Sequence, residues 1–210
     1  LLPEDVKKLK IGDIKVLLGQ EVVDQDILTY IRQDERTSVQ KLVASYDKRQ
    51  EKMRQEYERI HAMYDYEGIY YRQGIMQVAG VDEVGRGPIA GPVTVAAVIL
   101  PPYTFISGLN DSKKLSEKKR EELYDQIMDL ALAVSCVSYD RHKIDALNIY
   151  EATRQAMYEA VSTLSVPAEA VMVDAMKLPD LTCPVESLVK GDAKSANIAA
   201  ASIIAKVTRD

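Results

Sequence analysis

Four carboxylates stand out of place in this chain. Asp82 and Glu83 are adjacent at the end of the apolar run Val78-Ala79-Gly80-Val81, Asp174 ends a second such run, Ala170-Val171-Met172-Val173, and Asp210 closes a stretch of small residues. Burying a carboxylate costs several kcal/mol unless something pairs it. Clustered carboxylates are the donor set that hard, oxygen-seeking divalent cations take. Each acid also has a plainer reading. Asp82-Glu83 suits a solvated strand end, Asp174 suits a cap for the turn that follows, and Asp210 suits an ion pair with Lys206 one turn earlier. Neighbours on a regular strand point to opposite faces. Asp82 and Glu83 therefore share a site only if the pleat breaks there, which Gly85 and Gly87 make feasible.

The loop after these acids reads Gly85-Arg86-Gly87-Pro88-Ile89-Ala90-Gly91-Pro92. A dinucleotide fingerprint needs a helix after its glycines to hold the pyrophosphate. Here Val93-Thr94-Val95-Ala96-Ala97-Val98-Ile99 follows, which is strand-like. A Gly-Arg-Gly loop instead lets bare backbone approach a ligand, with a guanidinium beside it for phosphate. Further on, Asn110-Asp111-Ser112-Lys113-Lys114-Leu115-Ser116 is a polar loop. Asp111 heads a turn there. Lys113-Lys114 and Lys118-Lys119-Arg120 are solvated clusters that can also meet phosphates. His61 and His142 share no motif, and His61 falls in a long charged helix without evident chemistry.

The elements that would position these residues can be read from periodicity. Residues 1–74 are helical in pattern. Pro3-Glu4-Asp5 suits a first helical turn, Ile14, Leu17 and Leu18 mark a second helix stopped at Gly19, and Ile27, Leu28 and Ile31 mark a third. Thr37-Ser38 can cap a long helix from about Val39 towards Arg72. On it, Met53, Tyr57, Ile60 and Tyr64 form a narrow seam against one neighbouring helix. Gly74 ends it, and the domain boundary is expected there, with residues 75–210 forming the second domain. After the strand–loop–strand unit comes a helix from Ser116 with Leu123, Ile127 and Leu130 on one face. A strand follows within Ala131–Tyr139. Asn148 and Glu151 resemble a capping box that opens a helix to about Leu164, burying Ala152, Ala156, Ala160, Val161 and Leu164. Strands at Ala170–Asp174 and Val185–Val189 precede a last helix from Ala193, with Asp192 as its cap. The pattern suggests a mixed five-stranded sheet with helices on its faces.

Composition sets the bounds. A hydrophobic content of 47% over 210 residues suits a globular core with an appendage. The net charge of −5 argues against a nucleic-acid partner unless cations cancel the clustered acids. Cys136 and Cys183 are isolated and read as reduced thiols. No uninterrupted apolar run reaches the roughly 18 residues that a membrane helix needs, and no signal peptide opens the chain. A cytoplasmic protein with no membrane partner is the expectation. The chain starts at Leu1 without Met, which suggests a fragment or a trimmed chain.

The run Val81-Asp-Glu-Val-Gly-Arg-Gly-Pro-Ile-Ala-Gly-Pro-Val93 resembles the signature of the type 2 ribonuclease H family, in particular the bacterial ribonuclease HII group. The likeness continues, in order, through Leu109–Leu115, Asn148–Ala152, Val173–Ala175, Lys190–Lys194 and Ala199–Asp210. It spans about residues 78–210, and the helical segment before it resembles an extension that some bacterial members carry. The resemblance implies a ribonuclease H-like α/β fold with a mixed five-stranded sheet flanked by helices. It implies that Asp82, Glu83, Asp174 and Asp210 are the catalytic, metal-binding acids, holding two divalent cations, Mn²⁺ or Mg²⁺. It places Gly85, Arg86 and Gly87 on the ribose 2′-hydroxyl and flanking backbone, and Lys113 is taken with them as substrate-binding. The implied substrates are RNA·DNA hybrids and duplex DNA containing single ribonucleotides, cut to 3′-hydroxyl and 5′-phosphate ends. A truncated form that binds hybrids without cutting them is the alternative. Family members continue past the aspartate matched by Asp210 into further helices, one tyrosine of which stacks on the sugar at the RNA–DNA junction.

Overall fold

The computed structural model describes residues 9–87 and 91–210. The expected helical turn at Pro3-Glu4-Asp5 lies outside them. The chain forms two compact units, residues 1–56 and 57–210. Gly74, the expected boundary, falls inside the second.

In the first unit, α1 (Ile11–Gly19) and α2 (Gln25–Arg32) precede α3 (Thr37–Ala62), which runs on into the second. Asp24 caps α2, its Oδ1 accepting from the Asp26 and Ile27 amides at 2.9 and 3.2 Å. Ile14, Leu18, Leu28, Ile31, Val39 and Val43 make the small core, at the spacings that periodicity predicts.

The second unit opens on the end of α3. The expected single helix to Arg72 is broken at Met63–Tyr66 and resumes as α4 (Glu67–Tyr71). Neither Gly nor Pro marks this break. Its physical reason is tertiary: the Met63 carbonyl accepts the Ala196 amide at 2.9 Å, and the Tyr64 hydroxyl donates to the Thr104 carbonyl at 2.9 Å. The expected seam does not hold together either. Ile60 and Tyr64 are buried in the second unit's core, while Met53 and Tyr57 stay exposed.

The sheet has five strands in the order β3-β2-β1-β4-β5. They are β1 (Val78–Val84), β2 (Val93–Ile99), β3 (Ala133–Tyr139), β4 (Ala170–Asp174) and β5 (Val185–Leu188). β1 pairs antiparallel with β2, and β2 with β3. β1–β4 and β4–β5 are parallel. The other helices are α5 (Glu117–Leu130), α6 (Arg141–Leu147), α7 (Ile149–Ser162) and α8 (Ala196–Arg209). The short α6, capped by Asp140, was not read from the sequence. Leu123 and Ile127 of α5 are fully buried, but Leu130 is exposed.

α5 and α8 share one apolar core with Val78, Ala96, Val98 and Met172, and α7 shares the other with Val81, Val95, Ala97 and Val173. This split follows from strand alternation. Gly80 permits the closest approach: a Cβ there would lie 2.1 Å from the backbone carbon of Asn197, so α8 rests directly on β1. The central strand and the helix are locked at one level, and the acids at the strand ends inherit that precision.

Candidate active site

β1 and β4 run in register, with Val81 beside Val173. The next residues, Asp82 and Asp174, therefore stand side by side at the carboxyl ends of parallel strands. Alternation puts Asp82 on the same face as Gly80, the face that α8 covers. The β1–β2 ladder stays regular through Val84 and Thr94, so the pleat does not break at Asp82 and Glu83. The turn comes later, at Gly85, whose φ is +103°. Asp82 and Glu83 thus leave opposite faces of the strand. They act on one another because both lie at its end, where the longer Glu83 side chain still feels Asp174 and Lys113.

Asp82 is 4% exposed. Its Oδ1 accepts the Glu83 amide at 2.8 Å. Burial pushes its carboxyl well above the usual range, and the charges of Glu83, Asp174 and Asp192 push it further. Burial also raises Glu83, against the pull of Arg86. Arg86 Nη1 lies 3.4 Å from Glu83 Oε1. Glu83 Oε2 is buried with no hydrogen-bond partner among the described residues. Asp174 Oδ1 accepts the Gly191 amide at 2.8 Å, which ties the end of β4 to the 3₁₀ turn Gly191–Ala193.

That turn carries an acid the sequence reading did not place in the site. Asp192 is 6% exposed, raised first by its burial and then by Asp111 and Asp174. Its expected role as the cap of the last helix belongs instead to Ser195, whose Oγ accepts the Ile198 amide at 3.2 Å. An Asp just before a run of small residues has the local signature of a cap. The signal that pointed elsewhere was its place in the Lys190–Lys194 segment. Ala175 and Lys190, at φ 48° and 58°, hold left-handed backbone on either side of this acid pair. Such strain in non-glycine residues gathers where structure serves function.

Lys113 reaches over the group. Burial works against its charge, but Asp82, Asp192, Asp111 and Asp174 outweigh it and hold the ammonium protonated. Its Nζ is 4.0 Å from Asp192 Oδ2. Asp111, Lys113, Asp174, Lys190 and Asp192 line a cleft of about 450 Å³. A second guanidinium, also missed, lies against the glycine loop: Arg209 Nε donates to the Pro92 carbonyl at 3.2 Å. Gly87 is exposed, and the loop residues 88–90 are outside the described ones.

Asp210 is paired with basic side chains. Its Oδ1 takes the Lys206 ammonium at 2.7 Å, and its Oδ2 lies 3.9 Å from Arg120. The plainer reading of this residue is the one the geometry gives. His61 stacks on Tyr103 with ring centroids 5.0 Å apart.

Among the described residues, no group of three or more His, Cys, Asp or Glu converges as tightly as a bound metal ion requires. The donor chemistry nevertheless fits a divalent cation. The donors are carboxylate oxygens, Glu83 Oε2 is buried without a partner among the described residues, and Asp82 is held in a state that a nearby cation would relieve.

Comparison with known proteins decides the family. The family model described as Ribonuclease HII matches residues 79–210, and that of the Ribonuclease HII N-terminal domain matches residues 10–71. The chain belongs to the ribonuclease HII family. Ribonuclease HII of Bacillus mycoides is 48% identical, over 98% of this chain and 80% of its own length. That of Bacillus cytotoxicus is 54% identical, over 84% of this chain and 68% of its own. Among solved structures, ribonuclease H2 of Pyrococcus horikoshii OT3 superposes with a TM-score of 0.56 at 30% identity, covering 63% of this chain and 72% of that one. The Archaeoglobus fulgidus RNase HII, solved in a complex with PCNA, gives 0.51 at 30% identity, covering 64% and 73%. The fold is ribonuclease H-like, as the resemblance implied, and this member of the ribonuclease HII family is a type 2 ribonuclease H. No helix among its described residues is long and apolar enough to cross a membrane.

Proposed function

We propose that the chain is a divalent-cation-dependent endonuclease. It cuts RNA in RNA·DNA hybrids and single ribonucleotides in duplex DNA, leaving 3′-hydroxyl and 5′-phosphate ends. The observation that carries this reading is the pairing of Asp82 with Asp174 on the α8 face, with Glu83 and Asp192 in electrostatic reach. Asp82, Glu83, Asp174 and Asp192 would hold the cation, Mn²⁺ or Mg²⁺. Asp192 takes the place in that set that the resemblance gave to Asp210. When bound, such a cation supplies Lewis acidity for phosphodiester hydrolysis.

The remaining work falls to the chain's own groups. Four neighbouring carboxylates without a cation would repel a phosphate, so substrate and cation bind together. Lys113, kept protonated by the acids around it, meets a phosphate oxygen at the rim of the cleft. Arg86 is held near Glu83 by a long contact that substrate can replace. The backbone at Gly85 turns in a conformation open to glycine, and bare amides there can approach the 2′-hydroxyl. That hydroxyl alone separates a ribonucleotide from a deoxyribonucleotide at one position. The segment before Gly74 is read as an N-terminal extension and residues 75–210 as the catalytic domain. A cytoplasmic setting suits the two free thiols, Cys136 and Cys183.

The test is cleavage of a labelled duplex carrying one ribonucleotide, with Mg²⁺, Mn²⁺ or EDTA. The expected result is a single cut at the ribonucleotide, lost in EDTA and reduced by on the order of 10³-fold in Asp82→Asn, which removes charge but keeps shape. Equal cutting of an all-DNA duplex, or unchanged cutting by Asp82→Asn, would refute it.

A further inference from the structure

α8 begins on a buried carboxylate that the nuclease reading does not use. Glu67, on α4, has no solvent exposure. Its Oε1 accepts from Ser195 Oγ at 2.5 Å, from the Asn197 amide at 3.2 Å and from Asn197 Nδ2 at 3.4 Å. Its Oε2 is buried and has no partner among the described residues. All three donors belong to the start of a helix of 14 residues. Amides there lack intrahelical acceptors, and the helix dipole favours an anion.

A cap alone does not account for this acid. Ser195 already receives the Ile198 amide, and a neutral cap would serve without burying a charge. What the acid adds is fixity. The Ala196 amide is tied to the Met63 carbonyl at 2.9 Å. The Asn197 side chain, held by Glu67 through its Nδ2, accepts the Leu100 amide at 2.8 Å through its Oδ1. Gly80 presses on the Asn197 backbone from the sheet. The first turn of α8 is therefore gripped from α4 and from the sheet at once.

The segment gripped in this way leads straight back into the acidic site. The Lys194 and Ser195 amides both donate to the Gly191 carbonyl, at 2.9 and 2.8 Å, closing the turn that contains Asp192. The amide of Gly191 holds Asp174. A shift at Ser195 is passed through the Gly191 carbonyl to the turn that carries Asp192, and through the Gly191 amide to the Asp174 carboxylate.

We propose that Glu67 is a positioning residue of the nuclease site: by fixing Ser195 and Asn197 it sets the turn that carries Asp192 and the Gly191 amide that orients Asp174. The inference rests on the nuclease reading above. It also gives a residue from the stretch matched by the N-terminal family model, 10–71, a part in supporting the catalytic acids.

The experiment uses the full chain as wild type, Glu67→Ala, Glu67→Gln and Ser195→Ala. Four quantities are read: Mn²⁺ affinity by electron paramagnetic resonance titration, single-turnover cleavage of the one-ribonucleotide duplex, its steady-state KM, and exchange of the Gly191 amide. Glu67→Ala is expected to weaken Mn²⁺ binding about tenfold and slow cleavage about 10- to 100-fold. KM for the duplex stays within about twofold, and Gly191 exchange speeds up. Glu67→Gln, which keeps an acceptor oxygen for Ser195 and Asn197, recovers most of each loss, and Ser195→Ala shows a smaller loss of the same kind. Wild-type Mn²⁺ affinity, rate and exchange in Glu67→Ala, with only a lower melting temperature, would overturn the proposal. If Glu67→Ala fails to fold, wild-type values in Ser195→Ala overturn it instead. A wild-type chain that binds Mn²⁺ yet leaves the duplex intact would refute the nuclease reading alone, since affinity and exchange still report on Glu67.

Discussion

At the amino-terminal end of α8, acids are buried and short of partners. Asp192 is 6% exposed, and Glu67 keeps a buried oxygen with no hydrogen bond among the described residues. At the carboxyl-terminal end, Asp210 is answered by Lys206 and Arg120. Both ends carry an aspartate within the stretches that resemble the family. The difference lies in what the surroundings leave unmet. An acid with a lysine one turn away is already neutralised, and that pair contributes about 1 kcal/mol or less. A buried acid whose charge is opposed by burial and by its neighbours is an arrangement that persists where a cation or a substrate completes it.

The contrast can be broken at several points. The largest effect on stability is expected at the gripped end. Gly80→Ala would push a methyl group into the Asn197 backbone, which cannot retreat without lifting α8 from β1. A loss of about 3 kcal/mol or failure to fold is expected by thermal melting, and a melting point unchanged from wild type would show that the contact is slack.

A smaller effect concerns pH. The Asp82 carboxyl is raised in the folded chain, so its contribution to stability is full below its unfolded pKa, near 4, and is lost as pH rises through the folded value. Asp82→Asn should therefore be more stable than wild type at pH 7, by about 1 kcal/mol. The gain should vanish near pH 4 or below. A variant less stable than wild type at pH 7 would mean that the Asp82 charge is satisfied in the free protein. The smallest effect belongs to the far end, where Lys206→Ala should change stability by less than about 1 kcal/mol. A loss several times larger would show that the Asp210 pair organises the helix.

Much of the scaffold was legible from the sequence because local rules and tertiary packing agree there. The apolar runs of β1 and β2, the Ser116 and Asn148 caps, and the small buried face of α7 all appear as read. The break after Ala62 was not legible. No helix-breaking residue marks it, and its carbonyl is redirected by a residue more than a hundred positions away. Glu67 was hidden for the same reason: within a charged helical segment, nothing local separates a buried acid from a solvated one. Asp192 was visible as a residue but misassigned, since capping and burial in a turn share one local signature and only the placement of Ser195 separates them.

The central claim is that Asp192, and not Asp210, completes the set of acids at the catalytic site. Side-by-side single-turnover cleavage of a one-ribonucleotide duplex by wild type, Asp192→Asn and Asp210→Asn, at matched Mn²⁺, tests it most directly. The account predicts a loss of on the order of 100-fold or more in Asp192→Asn and a change within about threefold in Asp210→Asn. Near-wild-type cleavage by Asp192→Asn together with a large loss in Asp210→Asn would contradict it.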